Sequence, residues 1–179
     1  EPAYARHTAE ALAASLGHSI DEVAAIWADG FESLFDVQLP SAVRDLTLDG
    51  RRDDQEAPMG GCRGAAVYWL RARDIDVTNV HGHHFHGEGL GFQMCRDMRI
   101  RDCTFSHHSG NGLHPGAGST NCLFERCTAD ANGYCGFFFC VRANHITVQD
   151  CTFRSNGVGV SIGTRDCCNL VEDCTIRAN

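Results

Sequence analysis

Apolar residues recur along this chain with a period far longer than that of any helix or strand. Four six-residue segments superimpose: Ile100-Arg-Asp-Cys-Thr-Phe105, Phe124-Glu-Arg-Cys-Thr-Ala129, Val148-Gln-Asp-Cys-Thr-Phe153 and Val171-Glu-Asp-Cys-Thr-Ile176. Their cysteines, Cys103, Cys127, Cys151 and Cys174, are 24, 24 and 23 residues apart. Val80, closing Ile75-Asp-Val-Thr-Asn-Val80, extends the series back by 23. Leu46-Thr-Leu48-Asp-Gly50 reads as the same strand in an opening coil, followed by a longer insertion through Gly60-Gly61.

A second register runs in phase. Five residues after each cysteine stand His108, Asn132, Asn156 and Asn179, and eight or nine after it a glycine opens a short apolar strand. These strands are Gly112-Leu-His-Pro115, Gly136-Phe-Phe-Phe139 and Gly159-Val-Ser-Ile162, with Gly89-Leu-Gly-Phe92 as their equivalent after Val80. Each coil reads strand, turn, strand, loop. Parallel strands about 4.8 Å apart stack equivalent residues on one another. A thiol suits such an internal stack because it packs densely without needing a partner. Asn at the turn tolerates the left-handed conformation and can pass amide hydrogen bonds up the column. One coil cannot bury its own inner face, so neighbours are required. The pattern predicts an all-β, right-handed, single-stranded parallel β-helix of 23–24-residue coils over residues 43–179. Leucine-rich repeats would need several Leu at fixed offsets, and a left-handed hexapeptide helix a six-residue period; neither is present.

Residues 1–42 differ in character. Thr8-Ala-Glu-Ala-Leu-Ala-Ala-Ser-Leu16 and Ser19-Ile-Asp-Glu-Val-Ala-Ala-Ile-Trp27 are Ala-rich and amphipathic, and Ser19 with Glu22 forms a capping box. They predict a helical N-terminal cap covering the open edge of the first coil. At the other end Asn179 occupies a ladder position halfway through a coil, so further sequence is expected beyond it. The chain opens Glu1-Pro2-Ala3 without Met and shows no signal peptide.

Composition narrows the partners. A net charge of -8 with only 15 Lys and Arg lacks the basic stripe that nucleic acid requires. No apolar run approaches the roughly 18 residues that span a bilayer. Eleven cysteines would suggest a disulfide scaffold, but their spacing follows the repeat and their number is odd. The compartment stays open.

Candidate chemistry lies on the Gly-opened strand. Alternation turns Leu90, Leu113, Phe137 and Val160 inward and places Gly91, His114, Phe138 and Ser161 in an outward column. Gln93 stands in the next outward column, and beyond it come Arg142 and Arg165. Glycines, an aromatic ring and cations make a strip that could hold an extended sugar polymer. His114 is the candidate acid or base, with Asp166 as its carboxyl partner and Arg165 as the cation for a uronate carboxylate. Gln93, Phe138, Arg142, His145 and Glu88 are candidate substrate contacts. Each of these also has a plain reading as a solvated strand residue or surface pair.

The run His81-Gly-His-His-Phe-His86, with His107 and His108 one coil on, places six histidines in two turns. His84 should stack on His107, and His108 should replace Asn in the ladder. With no carboxylate or Cys at ligand spacing beside them, no metal is assigned. Calcium and zinc are held only as minor alternatives to a cofactor-free protein.

Three of these runs carry a resemblance. Gly112-Leu-His-Pro-Gly-Ala-Gly-Ser119, Gly136-Phe-Phe-Phe-Cys-Val-Arg142, and Gly159-Val-Ser-Ile-Gly-Thr-Arg-Asp166 with Asn169 resemble a largely uncharacterised bacterial group of β-helix repeat proteins. That group belongs to the pectin-lyase-like superfamily, and the resemblance covers roughly residues 43–179. The group's third run often reads Gly-His-Lys-Asp-x-Asp-Asn. Here Thr164, Arg165 and Cys168 stand at its His, Lys and second Asp positions, while Asp166 and Asn169 remain. The resemblance implies a carbohydrate-active protein, a polysaccharide lyase or glycoside hydrolase on an extended, acidic polysaccharide or oligosaccharide. The alternative is a non-catalytic carbohydrate-binding or structural β-helix, with homo-oligomerisation along its length.

Overall fold

The computed structural model describes residues 42–55 and 61–179. The expected helical cap lies outside these residues, apart from Ala42, which already begins a strand. Each coil climbs through three faces. The opening coil contributes β1 (Ala42–Asp49) and β2 (Val67–Leu70), and the next contributes β3 (Asp76–His83) and β4 (Leu90–Gln93). Then follow β5 (Arg99–Arg101), β6 (Thr104–Ser106) and β7 (Leu113–Pro115). The succeeding coil holds β8 (Thr120–Glu125), β9 (Thr128–Asp130) and β10 (Cys135–Phe139), and the next β11 (Asn144–Gln149), β12 (Thr152–Arg154) and β13 (Val158–Ile162). β14 (Leu170–Glu172) and β15 (Thr175–Arg177) close the series. All pairings are parallel. β5, β8, β11 and β14 stack on the first half of β3, β6, β9, β12 and β15 on its second half, and β2, β4, β7, β10 and β13 form the third face.

The register is the sequence period. Val77 pairs Ile100, which pairs Phe124, then Val148, then Val171, in steps of 23, 24, 24 and 23 residues. The opening coil is in phase too, with Leu46 opposite Val80. Phe92, Phe105, Phe124, Phe137, Phe139 and Phe153 are fully buried inside the tube. Each contributes about 1.5–3 kcal/mol of apolar burial, and rings from neighbouring faces meet edge-on, as Phe124 does with Phe137 at 4.8 Å.

Three expectations need correction. First, the Ile100–Phe105 segment is two strands meeting at a corner, because Asp102 is left-handed. Second, the left-handed residue at the following corner is not the ladder asparagine but the residue before it: His107, Ala131, Ser155 and Ala178 all have φ near 55°. The corners after the third face repeat the device, at Met94, Arg142 and Arg165 and again at Asp97, Asn121, His145 and Cys168. Each such residue costs on the order of 1 kcal/mol, a cost the stacked coils on either side must offset.

Third, the stacked thiols do have partners. At a corner the chain bends away from the ladder, and a side chain of the next coil accepts the freed N–H. Cys151 Sγ takes the Cys127 N–H at 3.4 Å, and Cys174 Sγ takes that of Cys151 at 3.4 Å. Asn132 Oδ1 takes the N–H of His108, Asn156 Oδ1 that of Asn132, and Asn179 Oδ1 that of Asn156, all at 3.0–3.1 Å. Their Nδ2 groups donate to the carbonyls of Phe105, Ala129 and Phe153. His108 heads this ladder as expected. Its Nδ1 accepts the Phe85 N–H at 3.3 Å while Nε2 faces the Gly82 carbonyl at 3.1 Å, an arrangement that fixes a neutral imidazole protonated at Nε2. All eleven cysteines are free thiols.

Candidate functional site

On the third face the outward column is Tyr68, Gly91, His114, Phe138 and Ser161, one residue from each of β2, β4, β7, β10 and β13. His114 points away from the core yet is only 5% exposed. The short 3-10 turn Cys62–Gly64, which precedes β2, lies against the imidazole. Cys62 Sγ lies 3.7 Å from His114 Nδ1. Phe138 covers the other side, its ring 5.0 Å from the imidazole.

The carboxylate that meets His114 is Glu88, not Asp166. Glu88 Oε1 is 2.6 Å from His114 Nδ1 and also accepts Asn111 Nδ2–H at 3.0 Å. Residue 91, directly below His114 in the column, is glycine. A Cβ there would lie 2.7 Å from Glu88 Oε2. Both partners are almost fully buried, and two of their atoms, Glu88 Oε2 and His114 Nε2, have no hydrogen-bond partner. Burial alone would push the His114 pKa down. The hydrogen bonds to Cys62 and Glu88 and the Glu88 charge outweigh it and hold it up, at about 11. The partnership thus favours the protonated imidazole and makes His114 a potential proton donor rather than a base.

Beside the pair opens a cleft of about 570 Å³, walled by Glu88, Asn111, Phe138 and Ser161, with Tyr134 and His86 at its edges. Tyr134 is 68% exposed. Its N–H bonds to the Gly110 carbonyl of the coil below, and Gly110 in turn to that of Gly87. A Cβ on Gly110 would come within 2.6 Å of the Gly87 oxygen, so the floor next to Tyr134 is bare backbone.

The expected site residues divide into two groups. His114, Glu88, Gln93 and Phe138 converge, Gln93 by donating Nε2–H to Cys62 Sγ at 3.3 Å. Asp166, Arg165, Arg142 and His145 lie instead on the corners that follow the third face, in the upper coils. Arg142, Arg165 and His145 are exposed and left-handed there. Asp166 belongs to a column of corner acceptors. Its Oδ1 takes the Ala143 N–H at 3.0 Å, as Ser119 Oγ takes that of Cys95 and Cys95 Sγ that of Ala72. Its pairing with His114 is thereby corrected: Asp166 is engaged in holding a corner two coils away.

Cys62, Asn111 and Tyr134 were not among the expected residues. Asn111 was readable, since it follows Glu88 by 23 residues, one coil step. Cys62 was not, because the insertion has no repeat to carry a register. The histidine cluster also gains a member. His84 stacks on His107 at 5.0 Å as expected, but Asp49 of the coil below approaches His83 Nδ1 at 3.3 Å, and His83 Nδ1 lies 2.9 Å from His84 Nδ1. The absence of a neighbouring carboxylate is therefore corrected. Among the described residues, two groups have metal-ligand proximity: Asp49 with His83 and His84, and Cys62 with Glu88 and His114.

The family described as right-handed β-helix region matches residues 55–179. The chain belongs to that family. No curated protein and no solved structure matches this β-helix. Among the described residues, no helix is long and apolar enough to cross a membrane.

Proposed function

We propose that this β-helix is a carbohydrate-active protein that holds a saccharide in the third-face cleft, one ring against Tyr134 and Phe138. The observation that carries the reading is the cleft's make-up. An exposed tyrosine and a half-buried phenylalanine flank bare backbone and small polar groups, the composition that accommodates the apolar face and hydroxyl edge of a sugar. A groove that runs across stacked coils suits an extended chain better than a compact metabolite.

A catalytic version, lyase or hydrolase, is favoured by one further observation: Glu88 lines the cleft and meets the buried His114 at 2.6 Å, directly behind it. An imidazolium could neutralise a uronate carboxylate, and Glu88 Oε2, lacking a partner, could accept the adjacent proton. Both atoms are sealed from solvent, so the catalytic version requires the Cys62–Gly64 turn to lift. The acidic polysaccharide implied by the resemblance is the first substrate class to test.

Calorimetric titration with a panel of neutral and acidic oligosaccharides tests the binding claim. Binding that falls at least tenfold in Tyr134→Ala and Phe138→Ala is expected. Absence of binding across the panel would sink the reading. Ultraviolet detection of unsaturated uronates, together with reducing-sugar release, separates the versions: turnover lost in Glu88→Gln supports catalysis, and binding without turnover supports a pure binding protein.

A further inference from the structure

We infer that Cys62, Glu88 and His114 form a binding site for a single zinc-type divalent cation directly behind the third-face cleft, which Glu88 lines. The inference does not rest on the saccharide reading. The three residues come from three successive coils, yet one ligand atom of each lies within 4.8 Å of the others. Thiolate, imidazole and carboxylate together select zinc or cobalt over calcium or magnesium, which take oxygen ligands alone.

The geometry supports this donor set. Zn–S and Zn–N bonds of about 2.3 and 2.0–2.1 Å at a tetrahedral angle separate sulfur from nitrogen by about 3.6 Å. Cys62 Sγ and His114 Nδ1 are 3.7 Å apart. Glu88 Oε1 is closer to Nδ1, at 2.6 Å, because a proton bridges them. Its sister Oε2 is buried without a partner, so a donor oxygen is free to turn to a metal. Two outer groups orient the ligands: Gln93 Nε2–H points at Cys62 Sγ, and Asn111 Nδ2–H at Glu88 Oε1. Gly91 keeps the space open, since a side chain there would strike the carboxylate.

Metal entry displaces the Cys62 thiol proton and the proton shared by His114 and Glu88, both released to solvent. Three protein ligands leave a fourth position for a water, which enters with the metal when the Cys62–Gly64 turn lifts.

The test uses Co²⁺ as a visible probe in the intact chain, with Zn²⁺ as competitor. One equivalent of Co²⁺ should produce tetrahedral d–d absorption and a thiolate-to-cobalt charge-transfer band, both abolished by one equivalent of Zn²⁺. Cys62→Ser should remove the charge-transfer band, and Glu88→Gln should weaken cobalt affinity at least tenfold, with circular dichroism confirming the fold of each. Cys167→Ser/Cys168→Ser and His83→Ala should leave the band unchanged, which separates this site from the exposed thiol pair and from the Asp49 cluster. No thiolate band, or a band that survives Cys62→Ser, overturns the inference. A metal site without saccharide affinity leaves this inference standing while the saccharide reading falls; the converse result reverses the two.

Discussion

Replacing His108 with Asn should make this protein less sensitive to acid, and the size of the effect follows from the ladder. His108 is 1% exposed and neutral, between Phe85 and Phe105. Burial lowers its pKa from 6.5 to about 4; the Gly82 hydrogen bond opposes this, and His83, His84 and Arg52 nearby add smaller downward effects. The unfolded chain therefore binds a proton that the folded chain refuses. Stability from this residue is complete above about pH 6.5 and is lost as pH falls through about 4. The full span corresponds to about 3 kcal/mol, at about 1.4 kcal/mol per pH unit.

Asn at this position can keep both hydrogen bonds. In the coil above, Asn132 takes an N–H through Oδ1 and donates Nδ2–H to Phe105 O, and Phe105 is the register partner of Gly82. What Asn loses is ring volume, costing about 1 kcal/mol as a small cavity. His108→Asn should thus be about 1 kcal/mol less stable at pH 8, equal to the parent near pH 6, and about 1–2 kcal/mol more stable at pH 4.5. Urea unfolding of both proteins across this range measures the difference, and the acid response of the other groups cancels between them. A difference that does not change with pH would refute a buried neutral imidazole at this position.

Three further outcomes follow from the same stacking. Asn156→Ala removes the acceptor of the Asn132 N–H and side-chain amide, and should cost about 2–4 kcal/mol in denaturant unfolding; a cost below about 0.5 kcal/mol would mean that the ladder is not formed. Cys151→Ser keeps an acceptor for the Cys127 N–H and should lie within about 1 kcal/mol of the parent, while Cys151→Ala should cost about 1–3 kcal/mol in the same assay. Under native conditions iodoacetamide should label Cys167 and Cys168 first and Cys103, Cys127 and Cys151 last; mass spectrometry finding early label on the last three would contradict their burial.

The relation between residues one coil apart was legible in the sequence, and so were the features that depend on it. Strand register, the inward Phe and Leu columns, the Asn ladder with His108 at its head, and the His84–His107 stack all follow from a step of 23 or 24. That step is linear information: parallel stacking converts sequence distance directly into contact along the axis. Relations around the coil were not legible. Which residue takes the left-handed corner, Ala131 rather than Asn132, depends on how the backbone turns between faces, because residue preference alone points to Asn. Asp166 looked like a free carboxylate until the corner bend exposed the Ala143 N–H that it accepts. The Cys62–Glu88–His114 cluster needed the tertiary structure most, since Cys62 sits in an insertion outside the repeat and meets His114 only through the placement of the Cys62–Gly64 turn.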